Sequence, residues 1–231
     1  MEAKGDKVFI TFASYLYRCS EMKKLFCVVL LAMAMSSAWA KMPMRQWLTS
    51  MPDSVMPLLT MNNRLDFIDF FDSHMDAVVT NRLEGKSRMD TLTDDYVSIA
   101  YTRSSHVSMK LLPLTDTTDV LCMVTTMHAN VEDSRVAFFA EGWTELDKES
   151  LLDEPALNDF YKPALADSIA GADTKIDIFF KTYTLSAESN RMECELSSVN
   201  YLSEEDRKSI TTWVKDTPII YEWREGRFVA I

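Results

Sequence analysis

Hydrophobic positions in the first part of the chain recur with a helical period. A run over 44–50 predicts a short helix, and the three prolines within 42–60 predict a proline-punctuated segment packed on the core. The clearest helix is predicted over 64–81, with its N-cap supplied by the pair Asn62 and Asn63. Its apolar stripe has the spacing of one helix face and consists of Leu65, Ile68, Phe71, Met75 and Val78, widened by Phe67 and Phe70.

From residue 91 onward the period shortens to two, which is typical of strands. Turn-rich pieces separate the alternating segments, and these short connections predict an antiparallel meander. The predicted strands are 96–103, 107–112, 119–128 and 134–141. Residues 119–124 are nearly all apolar, so we expect this strand in the middle of a sheet with both faces covered.

The last part of the chain has a similar order of elements. A helical segment interrupted near Pro163 is followed by two long strands, a helix capped by Ser203 and a final hairpin that turns at Glu225 and Gly226. The predicted bounds are 155–170 for the helical segment, 176–186 and 191–201 for the strands, 204–214 for the helix, and 219–224 with 227–231 for the hairpin.

The pattern predicts an α+β fold built from antiparallel β-meanders with helices packed on one side. Two arrangements remain open. In the first, two helix-plus-four-strand units, 41–150 and 151–231, stand in tandem and their sheets join edge to edge. In the second, residues 41–231 form one α+β domain with a larger irregular sheet. Either core is feasible, because a chain of this length buries about 70% of its surface.

The segment 22–40 has the three parts of a secretory signal peptide. Lys23 and Lys24 form a positive start, an uncharged apolar run follows, and the segment ends in small residues at Ala38 and Ala40. The apolar run is too short to cross a bilayer, which needs roughly 20 apolar residues. We expect cleavage near Ala40, a mature protein over 41–231, and a mis-called N-terminal extension over 1–21.

Charge restricts the partners of the mature protein. The full chain has 24 basic and 35 acidic residues, and removal of residues 1–40 leaves 19 and 32, a net charge of −13. Such a surface repels nucleic acid and anionic lipid headgroups. We therefore expect no nucleic-acid partner and no membrane insertion after signal cleavage. The signal peptide itself predicts a periplasmic or secreted location.

Candidate chemical groups are few. A cluster of acids with His74 (Asp66, Asp69, Asp72 and Asp76) fits a solvated helix face better than a metal site. His106 and His128 lie at strand ends, and no Gly-x-Ser-x-Gly motif accompanies them.

Residues 85–87 (Gly-Lys-Ser) lack the earlier glycine of a phosphate loop and predict a turn. The acidic segment 141–154 lacks the ordered spacing of a calcium loop. The sequence therefore assigns no catalytic, cofactor-binding or metal-binding residue, and no cofactor.

Aromatic residues and cysteines leave two questions open. The aromatics of the predicted strands and their flanks either fill the core or, if several were exposed together, mark a partner surface; they are Trp143, Tyr161, Tyr183, Tyr201, Tyr221 and Trp223. Cys122 and Cys194 both fall on apolar strand faces. They are either free buried thiols or, in an exported protein, a disulfide.

Several stretches together carry a family resemblance. They are 51–54 (MPDS), 57–60 (PLLT), 62–70 (NNRLDFIDF), 83–87 (LEGKS), 91–96 (TLTDDY), 109–113 (MKLLP) and 133–138 (DSRVAF). In order and spacing they resemble a family of exported Bacteroidales proteins catalogued as domain of unknown function 3256. The resemblance covers the mature chain and implies export in a Gram-negative bacterium. It brings no activity, cofactor or catalytic residue.

These observations favour an exported soluble protein that binds another protein or an envelope component. The alternative is a hydrolase-type enzyme whose active site is assembled from distant segments, and a third hypothesis is a purely structural envelope module. A pocket with a carboxylate pair or a Ser/His contact would favour the enzyme. A flat or saddle-shaped sheet face would favour binding.

Overall fold

The computed structural model describes residues 41–163 and 176–231, and this part of the chain has the predicted α+β class. Antiparallel strands form a seven-stranded sheet and a four-stranded sheet. The predicted extension and signal peptide, residues 1–40, lie outside the described residues. So do residues 164–175, which hold part of the helical segment predicted over 155–170.

The first two helices are joined by a connector, residues 51–60. Helix α1 spans Met44–Ser50, as predicted, and α2 spans Met61–Asp72. The cap of α2 is Thr60: its hydroxyl accepts a hydrogen bond from the Asn63 backbone N–H, and the Asn63 side chain accepts one from the Thr60 N–H. The prediction of an asparagine N-cap was therefore wrong, because Asn63 acts as the reciprocal partner in a capping box.

Helix α2 ends well before residue 81, where the sequence pattern placed its end. His74 adopts a left-handed conformation (φ 56°) just after the last turn and reverses the chain toward a strand. The buried face also differs from the predicted stripe: Arg64 and Phe67 are its buried residues, whereas Leu65 is 38% exposed and Met75 60%. Apolar periodicity does not reveal this face, because an arginine lies at its centre.

The seven strands of the larger sheet are neighbours in chain order. They are β1 Val78–Thr80, β2 Lys86–Leu92, β3 Tyr96–Thr102, β4 Ser105–Pro113, β5 Asp119–Met127, β6 Asp133–Ala140 and β7 Thr144–Leu146. The four predicted strands correspond to β3–β6. Strand β1 lies inside the predicted helix 64–81, and the short β7 was not predicted. Strand β2 was not predicted either, because its alternation is weak where Ser87 occupies one of its buried positions.

The smaller sheet is also a meander, with the order β8-β9-β10-β11. Its strands are β8 Lys181–Leu185, β9 Arg191–Leu196, β10 Ile219–Arg224 and β11 Arg227–Ala230. Helix α3, Lys148–Leu151, precedes this sheet in sequence, and α4, Glu204–Ile210, lies between β9 and β10. The Ser203 hydroxyl accepts a hydrogen bond from the Asp206 N–H, so the predicted cap of α4 is confirmed.

The larger sheet is the middle layer of the described fold. Its first face packs against α1, α2 and the connector in one hydrophobic core, and its second face packs against the smaller sheet in another. Strand β8 contacts β4, β5 and β6. A strand that touches three successive strands must cross the face of their sheet, so the edge-to-edge arrangement was wrong. The larger sheet also has seven strands rather than four.

Strand β5 explains why the sheets stack. Leu121 belongs to the core on the helix side, while Val120, Cys122 and Val124 belong to the core on the other side. The prediction of a central strand covered on both faces is therefore confirmed. Since both faces are apolar, both must be removed from water, and the smaller sheet supplies the second cover.

Lys110 is a polar link between the two sheets. This β4 side chain is 2% exposed. Its ammonium donates to the Ala187 carbonyl at 2.9 Å and pairs with the Asp95 carboxylate at 2.9 Å. The charge thus has two partners at the boundary of the second core, as a buried cation requires.

Arg64 is the most completely buried charged group of the described residues, at 1% exposure. Its Nε donates to the Leu48 carbonyl at 2.9 Å, and its Nη1 donates to the Leu59 carbonyl at 2.6 Å. Nη2 donates to the Met51 carbonyl, and Nη1 also meets the Asp53 carboxylate at 3.2 Å. One guanidinium on α2 therefore holds α1 and the connector, and two of its three acceptor carbonyls, Leu48 and Met51, lie at the end of α1, where helix geometry leaves carbonyls unpaired.

None of the described helices combines the length and the apolar character that crossing a bilayer demands.

Replacement of Arg64 tests this arrangement. We expect Arg64→Met to lower the free energy of unfolding by about 3 kcal/mol, because three carbonyls and one carboxylate lose their donor. Arg82 is the matched control, since it pairs with the same Asp53 but its side chain is 50% exposed; Arg82→Met should cost less than about 1 kcal/mol. Urea denaturation of both variants provides the measurement. Equal losses would contradict the central role of Arg64.

Candidate functional site

A groove of about 570 Å³ opens on the helix side of the larger sheet. Its floor is formed by β5 and β6, one wall by β7 with the turn before it, and the other wall by the connector. The lining residues are Ser54, Val55, Met123, Thr125, Met127, Asp133, Arg135, Ala137, Phe139, Trp143 and Glu145. This volume lies within the range of roughly 300–1,000 Å³ that is typical of ligand sites.

Strand register produces the floor of the groove. Alternate residues of β5 and β6 point to the same face, and their pairs are Met123 with Ala137, Thr125 with Arg135, and Met127 with Asp133. The polarity therefore changes along the strands, from an apolar end at Ala137 to a charged end at Asp133. The sequence analysis missed these residues as a group, because only the pairing of two strands brings them together.

Trp143 closes the apolar end. It follows Gly142 in the β6–β7 turn, and both have positive φ, 64° and 80°. The indole packs on Phe139 with ring centroids 5.4 Å apart, and its Nε1 donates to the Ser50 hydroxyl at 3.3 Å. The turn and the end of α1 thus fix the ring against the floor.

The charged end contains one ion pair and one unpaired carboxylate. Arg135 and Glu145 are 3.5 Å apart, and their side chains are 79% and 59% exposed. Asp133 is exposed and accepts only a long hydrogen bond, 3.4 Å, from the Lys181 backbone N–H. Among the described side chains, none forms an ion pair with Asp133.

The histidines do not converge on this groove. His74 is exposed in the turn after α2, and His128 is exposed and pairs with Glu132 at 2.7 Å. His106 is half-buried on β4, where its Nε2 lies 2.9 Å from the Ser98 hydroxyl of β3. Burial lowers the pKa of His106, while the nearby Asp90 carboxylate opposes that shift.

The Ser98–His106 contact is the Ser/His pair that a hydrolase would need, but its surroundings are unfavourable. Ser98 is 9% exposed and lies within β3 between β2 and β4. The backbone N–H groups of such a strand are engaged in the sheet, so they are not free to stabilise an oxyanion. The pair is therefore a contact between neighbouring strands.

The clustered acids are solvated, as predicted: Asp66 and Asp69 are exposed on α2, and Asp76 is exposed in the segment after it. Asp72 pairs with Arg45 at 2.7 Å, and this hydrogen bond lowers the pKa of the carboxyl. Among the described residues, no three His, Cys, Asp or Glu side chains converge as metal ligands would.

The turn of this segment lies at residues 82–83, Gly85 follows it, and residues 86–87 begin β2. The Gly85 N–H donates to the Asn81 side chain at 3.1 Å, and the Ser87 hydroxyl donates to the Tyr101 carbonyl at 2.6 Å. The serine hydroxyl is thus directed into the sheet. The predicted turn therefore lies a few positions earlier than 85–87, and Lys86 and Ser87 belong to a strand.

In the acidic segment 141–154, the one strongly paired carboxylate is Glu154. It meets Lys148 at 3.1 Å and Lys181 at 3.4 Å. Burial raises the pKa of Glu154, but these two cations outweigh it and the net shift is downward. Both cations come from this chain, so they already occupy the carboxylate that a calcium site would use.

Most of the aromatics in question fill the cores. Trp143, Tyr161, Tyr183, Tyr221 and Trp223 are all buried, whereas Tyr201 is 64% exposed. The aromatic side chains therefore do not form a shared exposed recognition surface.

Cys122 and Cys194 are free and buried, and both belong to the core between the sheets. Burial raises the pKa of each thiol, that of Cys194 to about 12.

His106 makes stability depend on pH in a defined direction. Since its pKa is lowered in the folded protein, the unfolded chain binds a proton more readily. Stability is then present above the ordinary pKa of about 6.5 and is lost as pH falls through the lower folded value. We expect the melting temperature of the His106→Gln variant to fall less between about pH 7.5 and about pH 5 than that of the parent protein. His74→Asn is the exposed control and should follow the parent; the same loss in all three proteins would exclude this role.

Comparison with known proteins places the chain in a family. A family model described as "Protein of unknown function (DUF3256)" matches residues 33–228. A domain of an uncharacterized protein from Porphyromonas gingivalis has a similar fold, with a TM-score of 0.69 and 24% sequence identity; the match covers 81% of this chain and 97% of that chain. No curated protein has a matching sequence. The resemblance to domain of unknown function 3256 is thereby confirmed, and the chain belongs to the DUF3256 family.

Proposed function

We propose that this protein is exported to the bacterial cell envelope and works there as a binding module. Its groove would hold a segment of another envelope macromolecule. The observation that carries the proposal is the groove itself: about 570 Å³ of open space over β5–β7, lined by both apolar and charged side chains. Sites that combine apolar area with a few polar groups are typical of ligand recognition.

The export part of the proposal rests on the sequence. The segment 22–40 has the positive start, apolar run and small-residue ending of a signal peptide. The mature chain would carry a net charge of −13, which suits a soluble protein that does not adhere to anionic surfaces.

Binding ranks ahead of the hydrolase alternative. One observation favours an enzyme, the 2.9 Å contact between Ser98 and His106. These residues are not among those that line the groove, and the surrounding backbone is engaged in the sheet. Binding also ranks ahead of a purely structural module, because a module without a ligand has no need of an open groove with a partly exposed apolar floor.

Filling the groove tests the binding function. Ala137 is 6% exposed on the floor, so Ala137→Trp should occupy the space that a ligand would use. Thr184→Trp is the control, because Thr184 is exposed on β8 and lies outside the groove. We expect quantitative affinity capture from an envelope extract to return a defined partner with the parent and with Thr184→Trp, reduced at least about tenfold with Ala137→Trp. Equal capture by both variants would contradict the proposal, provided that their melting temperatures match.

Cell fractionation tests export. We expect the mature chain outside the cytosol with Lys41 as its first residue, since cleavage follows Ala40. N-terminal sequencing and mass spectrometry provide the measurement, and peptides from residues 1–21 should be absent even from the precursor. An uncut chain in the cytosol would contradict export, whereas peptides from 1–21 would contradict only the start at Met22.

A further inference from the structure

The two ends of the groove favour different chemical groups in a bound ligand, because one end is apolar and the other is charged. Resting on the proposed binding function, we infer that the occupant is an extended polypeptide segment that carries an apolar side chain and, four residues away, a lysine or arginine. The apolar side chain lies at the Ala137 end of the groove, and the cation meets Asp133 at the other end.

The apolar end has a complete hydrophobic lining. Met123 and Ala137 form its floor as a cross-strand pair, Phe139 and Trp143 close it, and Val55 of the connector faces them. Trp143, Phe139 and Ala137 are each less than 10% exposed, and Met123 is half-buried. This end offers little hydrogen bonding, so it favours an aliphatic or aromatic side chain.

At the charged end, Asp133 is the carboxylate that has no cationic partner among the described side chains, so this end favours a cation. Arg135 is already neutralised by Glu145, at 3.5 Å. Asp133 has only the 3.4 Å hydrogen bond from a backbone amide, and no described side chain pairs with it. The end thus carries one uncompensated negative charge, which attracts an ammonium or guanidinium group and repels a carboxylate or phosphate.

The spacing of the two ends fits a polypeptide. Ala137 and Asp133 are four residues apart on one strand, so their Cα–Cβ bonds point to the same face and their Cα atoms lie about 13 Å apart. Asp133 is the first residue of β6, at the end of the sheet, where its carboxylate lines the groove and also reaches the Lys181 amide of β8. An extended peptide laid along β6 has the same repeat, and its residues i and i+4 face the same side. The match holds for either chain direction, because the spacing is symmetric.

Overall charge favours the same class of occupant. The mature chain carries a net charge of −13, so its field draws cationic segments toward the surface and disfavours anionic ones. A peptide rich in acidic residues, an anionic glycan or a lipid phosphate would meet repulsion from both this field and Asp133.

Short fluorescent peptides with Gly-Ser flanks test the inference by anisotropy with the mature protein, 41–231. The first carries Leu at i and Lys at i+4, and a second has the reverse order. In the others Glu replaces the Lys, or the Lys stands at i+2. We expect both Leu/Lys peptides with the four-residue spacing to bind at least about tenfold more tightly than the Glu peptide and measurably more tightly than the i+2 peptide.

Charge reversal supplies the decisive variant. Asp133→Lys should invert the preference, so that the Glu peptide binds more tightly than the Lys peptide. Glu193→Lys is the matched control, because Glu193 is an exposed carboxylate on β9 outside the groove, and it should leave the preference unchanged. Asp133→Asn, which keeps the side-chain shape, should remove the preference without inverting it.

The outcomes separate this inference from the binding function. If peptides bind and Ala137→Trp abolishes their binding, but charge and spacing have no effect, the groove is a binding site and the inference is wrong. If the Glu peptide is preferred by the parent, the inference is also wrong. If no peptide binds while the envelope partner is still lost with Ala137→Trp, the occupant is not a polypeptide. If Ala137→Trp changes neither measurement, the proposed function itself fails.

Discussion

The arrangement of the helix layer depends on one buried guanidinium. Arg64, on α2, donates to one carbonyl of α1 and to two carbonyls of the connector, and it pairs with Asp53 in the connector. A buried charge is stable only when its donors are satisfied, and here backbone carbonyls satisfy them. The connector contains two prolines, at 52 and 57, and has little regular structure of its own. Its path is therefore set by the side chain that it surrounds.

The position of the connector matters because it forms a wall of the groove. Ser54 and Val55 face the floor made by β5 and β6, and they lie next to Asp53, which Arg64 and Arg82 hold. The helices cover part of the larger sheet, and the groove is the space beyond them on the same face. The interaction that organises the helix layer thus also shapes the candidate site.

The second face of the larger sheet has a different role. The smaller sheet covers it completely enough to bury Cys122, Cys194 and most of the strand aromatics. Most aromatic side chains of the described strands are therefore buried and do not form an exposed recognition surface. The proposed recognition therefore uses the groove side, where apolar floor and charged rim coexist. The comparisons with known proteins add the family and a solved structure of similar fold, and the chemistry of the groove comes from this chain alone.

Local patterning determined much of the fold from the sequence. Helix α1, strands β3–β6, the Ser203 cap and the β10–β11 hairpin depend on neighbouring residues, and these predictions were correct within a few positions. Apolar periodicity could not reveal Arg64 as the centre of a buried face, because the carbonyls that satisfy it come from residues up to sixteen positions away.

Only the tertiary structure placed the small sheet on the face of the large one and opened the groove. Met123, Asp133 and Trp143 lie on three different segments, and none has a sequence pattern of its own. Strand pairing and the limit of helix coverage bring them together. The sequence determined which segments had apolar faces to bury, whereas long-range packing decided which of those faces stayed partly open.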